Sequence, residues 1–288
     1  MERHTRSYLQ LIKPGITLSN TLTGVAGFFL ASSMVSFSVT AFIGAIGGIA
    51  GVIASACVAN NIIDRDIDTQ MKRTKRRGIV DGSIRIHRAV VFCIVLGIIG
   101  FGLLLALTNV LTFWLGVLAF IWYVVVYGFA KRTTAFSTII GGVAGALPPM
   151  AGYTALTGRI DIAAIILFTI LFFWQLPHFY AISMFRRQDY ANAKLPVWAV
   201  RYGMKSTKVQ VFVSVVLYAL AACLLTMFGF TGIFYLVLST AFSAYWVYKG
   251  VQLYNKVDDV RWARSMFGAS LVVILGMITL ISIGGFLP

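Results

Sequence analysis

Nine apolar stretches, separated by polar segments, restrict most strongly what this chain can fold into. A membrane-spanning helix uses about 20 consecutive apolar residues, and stretches of this kind recur along nearly the whole sequence. Their approximate positions are 15–35, 38–62, 87–107, 110–130, 134–156, 162–185, 208–228, 231–249 and 266–287. The pattern predicts an all-α integral membrane protein with nine transmembrane helices and a single membrane-embedded domain over residues 1–288.

The composition excludes an ordinary soluble globular protein. Of the 288 residues, 59% are hydrophobic and only 11% are charged, whereas a soluble domain carries about 25% charged residues. A net charge of +15 can indicate a nucleic-acid partner, but here the basic residues lie between apolar segments. We therefore expect the lipid bilayer and its anionic headgroups as the partner of these charges, and no nucleic acid.

The distribution of basic residues predicts the orientation of the nine helices. With the N-terminus in the cytoplasm, 23 of the 24 Lys and Arg residues lie on the cytoplasmic side, and only Arg159 lies outside. This asymmetry follows the positive-inside rule and places the C-terminus outside. Apart from Asp161, the aspartates lie on the same side as the basic residues. We therefore expect any polar chemistry at the cytoplasmic face.

The polar segment that ends the second stretch carries the strongest chemical signal. Residues 60–68 read NNIIDRDID and are followed by a basic run. Because a helix advances about 100° per residue, Asn60, Asp64 and Asp68 share one stripe, while Asp66 faces away. Two carboxylates and an amide oxygen are ligands that Mg²⁺ favours, and Mg²⁺ usually shares its shell with substrate phosphates. The segment predicts a Mg²⁺–diphosphate site.

A charged loop at the membrane edge is the simpler interpretation of this segment. Acidic side chains in such loops commonly pair with nearby arginines in a solvated network. Carboxylates within the end of a membrane helix are costly, however, and are usually functional. The spacing alone leaves both interpretations open.

Shorter motifs occur elsewhere in the chain. Lys13 precedes Pro14 and Gly15 at the start of the first stretch, where a lysine often anchors a helix to the interface. Tyr127 and Lys131 form an i,i+4 pair at the end of the fourth stretch. A snorkelling lysine beside an interfacial tyrosine is a common structural arrangement. The sixth stretch contains the segment WQLPH at residues 174–178.

Taken together, these motifs resemble the UbiA superfamily of intramembrane prenyltransferases over about residues 8–270. The first motif of that family is N-D-x-x-D-x-x-x-D, and here its second position is Asn61. This variant, with its basic run, is similar to the branch that transfers a farnesyl group to haem b. The K-P-G start, the Y-x-x-x-K pattern and the WQLPH segment match the same branch. The resemblance implies a UbiA-like helical bundle in a bacterial cytoplasmic (inner) membrane.

The resemblance also implies a reaction and its residues. The farnesyl group of farnesyl diphosphate is transferred to a vinyl group of haem b with addition of water, which gives haem O for terminal oxidase assembly. Mg²⁺ is the expected cofactor, and a haem A synthase or oxidase assembly factors are candidate partners. The implied catalytic residues are Asn60, Asp64, Asp68, Tyr127 and Lys131; the diphosphate contacts are Lys13, Lys72, Arg73, Arg132 and Asp189; the haem contacts are His178, Gln175, Arg186 and Arg187.

Two assignments remain open at this point. The wider family carries a second acidic motif after the sixth helix, but here Asp189 is the only acidic residue of that region. Asp189 can complete the metal site alone, or Arg186 and Arg187 can hold phosphate or pair with haem propionates. His178 can ligate the haem iron or contact the haem edge. It can equally be a buried histidine that is bonded to a neighbour.

Two other functions compete with haem farnesylation. A UbiA-type prenyltransferase could act on an aromatic acid or quinone precursor, although the single second-region acid and the WQLPH segment favour haem. A cation-coupled transporter would place ionisable residues near the middle of the membrane. Here the acidic residues cluster at one face beside a basic loop, which suits a diphosphate better.

Overall fold

Helices make up every regular element in the described part of the chain, as the apolar stretches predict. The computed structural model describes residues 2–75 and 77–288, with side chains described from Ser7 onward. In chain order the elements are α1 Glu2–Leu11, α2 Pro14–Ser32, α3 Val39–Ile63, α4 Arg65–Gln70, α5 Ile86–Leu107, α6 Val110–Ile121, a π-helical turn Trp122–Val126, α7 Tyr127–Thr133, α8 Ser137–Thr157, α9 Ile162–Phe185, α10 Arg187–Asn192, α11 Trp198–Arg201, α12 Gly203–Met227, α13 Ile233–Leu253 and α14 Asp259–Gly284.

Each predicted apolar stretch corresponds to one long helical segment, with α6, the π-helical turn and α7 together forming the fourth. Among the described residues, seven of these segments are both long and apolar enough to cross a membrane. The other two, α2 with 19 residues and α13 with 21, are long enough but less apolar. The all-α membrane architecture is therefore confirmed. The ninefold crossing and the orientation of the termini stay predictions.

Large apolar side chains cover the outer faces of several helices. On α5, for example, Val91, Ile94 and Ile98 are 58%, 53% and 68% exposed. Such a surface is unfavourable in water but suits contact with lipid tails. The main core lies on the inner sides of the helices, where Trp246 and Trp262 are fully buried.

Helices α2 and α8 approach each other until their backbones touch. A Cβ atom on Gly152 would lie 1.9 Å from the carbonyl oxygen of Gly24, and one on Gly27 would lie 2.0 Å from that of Pro149. Small residues allow such close approach between membrane helices. Pro149 and its neighbour Pro148 lie inside α8, which nevertheless continues as one helix of 21 residues. The close contact with α8 therefore limits where α2 can lie.

Two small apolar clusters hold the connecting segments around the end of α3. The first joins the end of α1, the body of α3 and the segment before α5, through Leu11, Val58, Ile79, Ile84 and Ala89. The second packs α4 against the segment between α10 and α11, through Ile67, Met71, Ala193, Leu195 and Val197. The long polar segments after α3 and α9 thus meet on the same side of the bundle.

Candidate active site

The predicted stripe of oxygen ligands forms where α3 passes into α4. The α-helix assignment is interrupted at Asp64, but the backbone hydrogen bonds Asp64 N–Asn60 O (2.9 Å) and Asp68 N–Asp64 O (2.8 Å) continue across the junction. Asn60, Asp64 and Asp68 are all buried, with exposures of 4%, 8% and 4%. The side chain of Asp66 is 59% exposed, so it lies on the opposite side, as the helical spacing predicts.

Each oxygen group of the stripe is paired with a cation from a different segment. Lys13 Nζ donates to Asn60 Oδ1 at 2.7 Å. Lys131 at the end of α7 forms an ion pair with Asp64. Arg77 donates to Asp68 Oδ2 at 2.6 Å. Since buried charges require partners, these cations explain how two carboxylates can lie within the helical bundle.

Lys13 reaches the site through an uncommon backbone conformation. Its φ of 49° and ψ of 69° lie in the left-handed region, which is rare for residues other than glycine, asparagine and aspartate. The next residue, Pro14, disfavours the ordinary helical conformation at this position. The chain therefore turns sharply between α1 and α2. Non-glycine residues held in such conformations are frequent at functional sites.

Two tyrosines line the site beside the lysines. The rings of Tyr123 and Tyr127 stack with their centroids 5.6 Å apart, and the ammonium group of Lys131 lies 5.3 Å from the centroid of the Tyr127 ring. Lys13 Nζ lies 3.5 Å from the Tyr123 hydroxyl. Tyr123 belongs to the π-helical turn, a feature often found at functional sites. The sequence marks Tyr123 only as one of several aromatic residues that could stabilise a passing cation, together with Trp122, Phe172, Phe173 and Trp174.

Arg132 lies at the outer rim of the site rather than within it. Its two terminal nitrogens donate to the two oxygens of Asp66 at 2.7 and 2.8 Å, and one of them lies 3.5 Å from Asp64 Oδ1. The paired guanidinium lowers the pKa of Asp66 to about 2. Asp66 therefore stays ionised at neutral pH and remains paired with Arg132.

The basic run contributes to the site through Arg77, a residue that no motif singles out. Lys72 and Arg73, the predicted diphosphate contacts, are exposed, and Arg76 lies outside the described residues. Arg77 returns to the stripe through a turn in which Thr74 Oγ1 donates to the Asp68 carbonyl at 3.1 Å. No local sequence pattern distinguishes Arg77 from its basic neighbours. The turn after α4 places its guanidinium next to Asp68.

The region after α9 supplies one buried acid. Asp189 is 8% exposed and lies 3.8 Å from the guanidinium of Arg186. Arg187 donates through Nε to the carbonyl of Ala199 at 3.0 Å, which ties the start of α10 to α11. Both arginines are exposed. The structure thus leaves the roles predicted for these three residues as proposals.

Gln175 and His178 point toward different helices. Gln175 is buried and donates to the Gly142 carbonyl in α8 at 2.6 Å. His178 Nδ1 lies 2.7 Å from Ser270 Oγ in α14, and its ring stacks on Trp174 with centroids 5.0 Å apart. Both side chains are therefore anchored within the bundle. The prediction that they share a haem-binding surface is not tested by these contacts.

The donor set around Asn60 fits Mg²⁺ with a phosphate ligand. Among the described residues no three His, Cys, Asp or Glu side chains gather closely enough to enclose a metal. Two carboxylates and one amide oxygen instead leave coordination positions for phosphate and water, as Mg²⁺ prefers. In addition, Asn60 Nδ2 is buried without a hydrogen-bond partner. An anionic ligand would satisfy this donor.

Solved structures share this fold. A digeranylgeranylglyceryl phosphate synthase superposes with a TM-score of 0.80 at 20% identity, over 99% of both chains. The apo structure of a UbiA homologue from Aeropyrum pernix K1 gives a TM-score of 0.74 at 18% identity, over 91% of this chain and 97% of that chain. A UbiA homologue from Archaeoglobus fulgidus bound to GPP and Mg²⁺ gives 0.73 at 17% identity, over 96% and 99% of the two chains. At these identities the similarity establishes the fold.

The sequence comparison establishes the family. The model of the UbiA prenyltransferase family matches residues 20–272. The chain therefore belongs to the UbiA prenyltransferase family, and the resemblance seen in its motifs is confirmed.

Within that family, its curated relatives include enzymes named protoheme IX farnesyltransferase. The one from Protochlamydia amoebophila is 42% identical over 267 residues, which cover 93% of this chain and 94% of the relative. The one from Escherichia coli O1:K1 / APEC is 41% identical over 284 residues, which cover 98% and 96%. The similarity thus extends over nearly the full length of both proteins.

Proposed function

We propose that this protein transfers the farnesyl group of farnesyl diphosphate to a vinyl group of haem b, with addition of water, to give haem O. The observation that carries the proposal is the buried stripe of Asn60, Asp64 and Asp68, in which each oxygen group faces a cation. Relatives at 40–42% identity that are named protoheme IX farnesyltransferase support the choice of substrates.

A diphosphate would be bound between the stripe and its cations. Bound Mg²⁺, held by Asn60, Asp64 and Asp68, would act as a Lewis acid that neutralises charge on the leaving diphosphate. Lys13 would turn from the Asn60 amide oxygen, and Lys131 and Arg77 from their carboxylates, toward the phosphate oxygens, which form strong charge-assisted hydrogen bonds. Asn60 Nδ2 supplies a further donor. The UbiA homologue that is bound to GPP and Mg²⁺ supports the binding of Mg²⁺ in this fold.

The transfer requires that the allylic cation is formed away from water. The allylic C–O bond of farnesyl diphosphate breaks, and its electron pair leaves with the diphosphate. A vinyl carbon of haem b then forms a C–C bond to the farnesyl carbon, and the resulting cation adds water and loses a proton. The stacked rings of Tyr123 and Tyr127 offer negative faces to a passing cation. The surrounding apolar helices keep water from reacting with the allylic cation before the C–C bond forms.

His178 is the proposed axial ligand or edge contact of the haem. Ser270 Oγ donates its proton to the Phe267 carbonyl at 2.6 Å, so the hydrogen bond between His178 and Ser270 takes its proton from His178 Nδ1. This assignment leaves Nε2 unprotonated, which is the state that ligates iron. Arg186 and Arg187 are proposed contacts of the haem propionates. Gln175, which is hydrogen-bonded to Gly142 of α8, is proposed to position the haem.

The remaining diphosphate contacts and the topology are proposed on charge. Lys72, Arg73 and Arg132 are cationic and would guide or retain an anionic substrate. Asp189 would contact the diphosphate only through bound Mg²⁺. The strong asymmetry of Lys and Arg supports nine spans with the N-terminus in the cytoplasm and the C-terminus outside. The site then opens to the cytoplasmic side of a bacterial inner membrane. The whole chain forms one membrane-embedded domain. A haem A synthase or oxidase assembly factors would receive the product.

The proposal is tested by product analysis with the purified protein. We would incubate it with haem b, farnesyl diphosphate and Mg²⁺ and analyse the haems by liquid chromatography and mass spectrometry. The expected product has the mass of haem b plus one farnesyl group and one hydroxyl group. Unchanged haem b together with prenylation of an aromatic acid would refute the haem assignment. If neither acceptor reacted with a folded sample, an ion-flux assay in vesicles would test for a cation-coupled transporter.

A further inference from the structure

Asn61, the neighbour of the oxygen stripe, lies where three segments of the chain meet. Its side chain is 1% exposed. Nδ2 donates to the carbonyl oxygen of Leu11 at 2.8 Å, at the end of α1. Oδ1 accepts from the guanidinium of Arg77 at 2.9 Å. The amide thus uses its donor and its acceptor at the same time, each toward a different segment.

Both of these segments deliver a cation to the stripe. The Arg77 nitrogen that donates to Asn61 also donates to Asp68 Oδ2 at 2.6 Å. Leu11 lies two residues before Lys13, whose Nζ donates to Asn60 Oδ1 at 2.7 Å. Asn61 is therefore bonded directly to one cationic segment and to the chain immediately before the other. Neither the Asn61–Leu11 nor the Asn61–Arg77 hydrogen bond involves the oxygen stripe itself.

We infer that Asn61 is a positioning residue, which fixes Arg77 and the Lys13 segment for binding of a prenyl diphosphate and does not itself ligate the metal. The inference rests on the proposed function and adds a residue to it. It accounts for an amide at a motif position where the wider family has Asp. A carboxylate has no proton to donate to the Leu11 carbonyl, and its negative charge would compete with the diphosphate for the Arg77 guanidinium.

The test is the isosteric substitution Asn61→Asp, measured as binding as well as turnover. Calorimetry with the unreactive analogue farnesyl thiolodiphosphate and Mg²⁺ should show affinity lowered about tenfold, since a hydrogen bond to a charged group contributes on that scale. The KM for farnesyl diphosphate should rise more than kcat falls. The matched control is Asn255→Asp, which adds the same charge at an exposed position between α13 and α14 and should bind as the wild type does.

A double variant separates a positioning role of Asn61 from direct ligation of the metal. In Arg77→Met the guanidinium is absent, so Asn61→Asp should then lower the affinity by only about threefold, through the Lys13 segment alone. A full tenfold loss that persists in Arg77→Met would overturn the inference. So would wild-type affinity of Asn61→Asp, or tighter Mg²⁺ binding, which would indicate a direct metal ligand.

Hydrogen exchange covers the case in which the variant is perturbed in folding. For a positioning role, exchange in Asn61→Asp should accelerate at residues 10–13 and 77–81 and stay unchanged in α12–α14. Acceleration throughout the chain would indicate general unfolding and overturn the inference. A wild-type protein that neither binds the analogue nor forms the haem product would refute the proposed function instead. If Asn61→Asp leaves affinity and turnover unchanged in an active enzyme, only the role of Asn61 is refuted.

Discussion

Replacement of Gly152 by alanine tests the contact that positions α2. The new Cβ would lie 1.9 Å from the Gly24 carbonyl oxygen, whereas ordinary contact begins at 3.4 Å. The obstructing atoms belong to the backbone of α2, so no side-chain rotation relieves the clash. Helices α2 and α8 must separate locally by about 1.5 Å, the difference between those distances. Overpacking of this kind costs about 1–3 kcal/mol, and we expect a value near the upper end.

The matched control is Gly102→Ala on α5, where a Cβ would meet no atom within 4 Å. Alanine in a helix interior is favoured over glycine by roughly 0.5–1 kcal/mol, so this variant should be slightly stabilised. Both free energies of unfolding can be measured by SDS titration in mixed micelles, followed by circular dichroism. Equal stability of the two variants would refute the close backbone packing of α2 on α8.

The same displacement should reach the site, because α2 begins directly after Lys13. A shifted α2 moves Lys13 Nζ away from Asn60, with which it forms a 2.7 Å hydrogen bond. We therefore expect Gly152→Ala to raise the KM for farnesyl diphosphate in the population that remains folded. An unchanged KM in a destabilised variant would show that the Lys13 segment is held by its own contacts, such as that of Asn61 with Leu11.

Three further predictions concern the site. Asp64→Ala and Asp68→Ala should each lower turnover by about 100-fold or more, because each removes a proposed metal ligand; wild-type turnover in both would refute the stripe. Asp66→Asn should be much milder, since Asp66 is exposed and pairs with Arg132 at the rim; a loss as deep as that of Asp64→Ala would contradict its placement. His178→Ala should weaken the haem absorbance change on titration, whereas His87→Ala at the exposed start of α5 should not; equal spectra would refute a haem contact.

Helical periodicity predicted the part of the site that lies on one continuous segment. Asn60, Asp64 and Asp68 share a buried side and Asp66 is exposed, because the backbone hydrogen bonds continue through the junction of α3 and α4. Tyr127 and Lys131 are in contact for the same reason, being one turn apart. Local spacing suffices wherever both residues belong to the same helix.

Local spacing could not identify contacts that depend on tertiary packing. Arg77 is one of several basic residues in its run, and a turn closed by Thr74 selects it. Arg132 follows Lys131 directly, but its two short hydrogen bonds go to Asp66, and only a 3.5 Å contact reaches Asp64 of the stripe. His178 meets Ser270 across 92 residues, and Asn61 meets Leu11 across 50. No periodicity relates residues so far apart in the chain.

The sequence by itself therefore determined the class of fold and the chemistry that the site can offer. Long apolar stretches require helices in a bilayer, where every backbone polar group must be satisfied within its own segment, and acids that close a membrane helix require cations. Only the tertiary structure decided which cation each acid receives and which residue holds that cation in place. These choices follow from the packing of α2 against α8 and from the turn after α4. In both places, contacts between residues distant in sequence determine which arrangement of the folded chain has the lowest free energy.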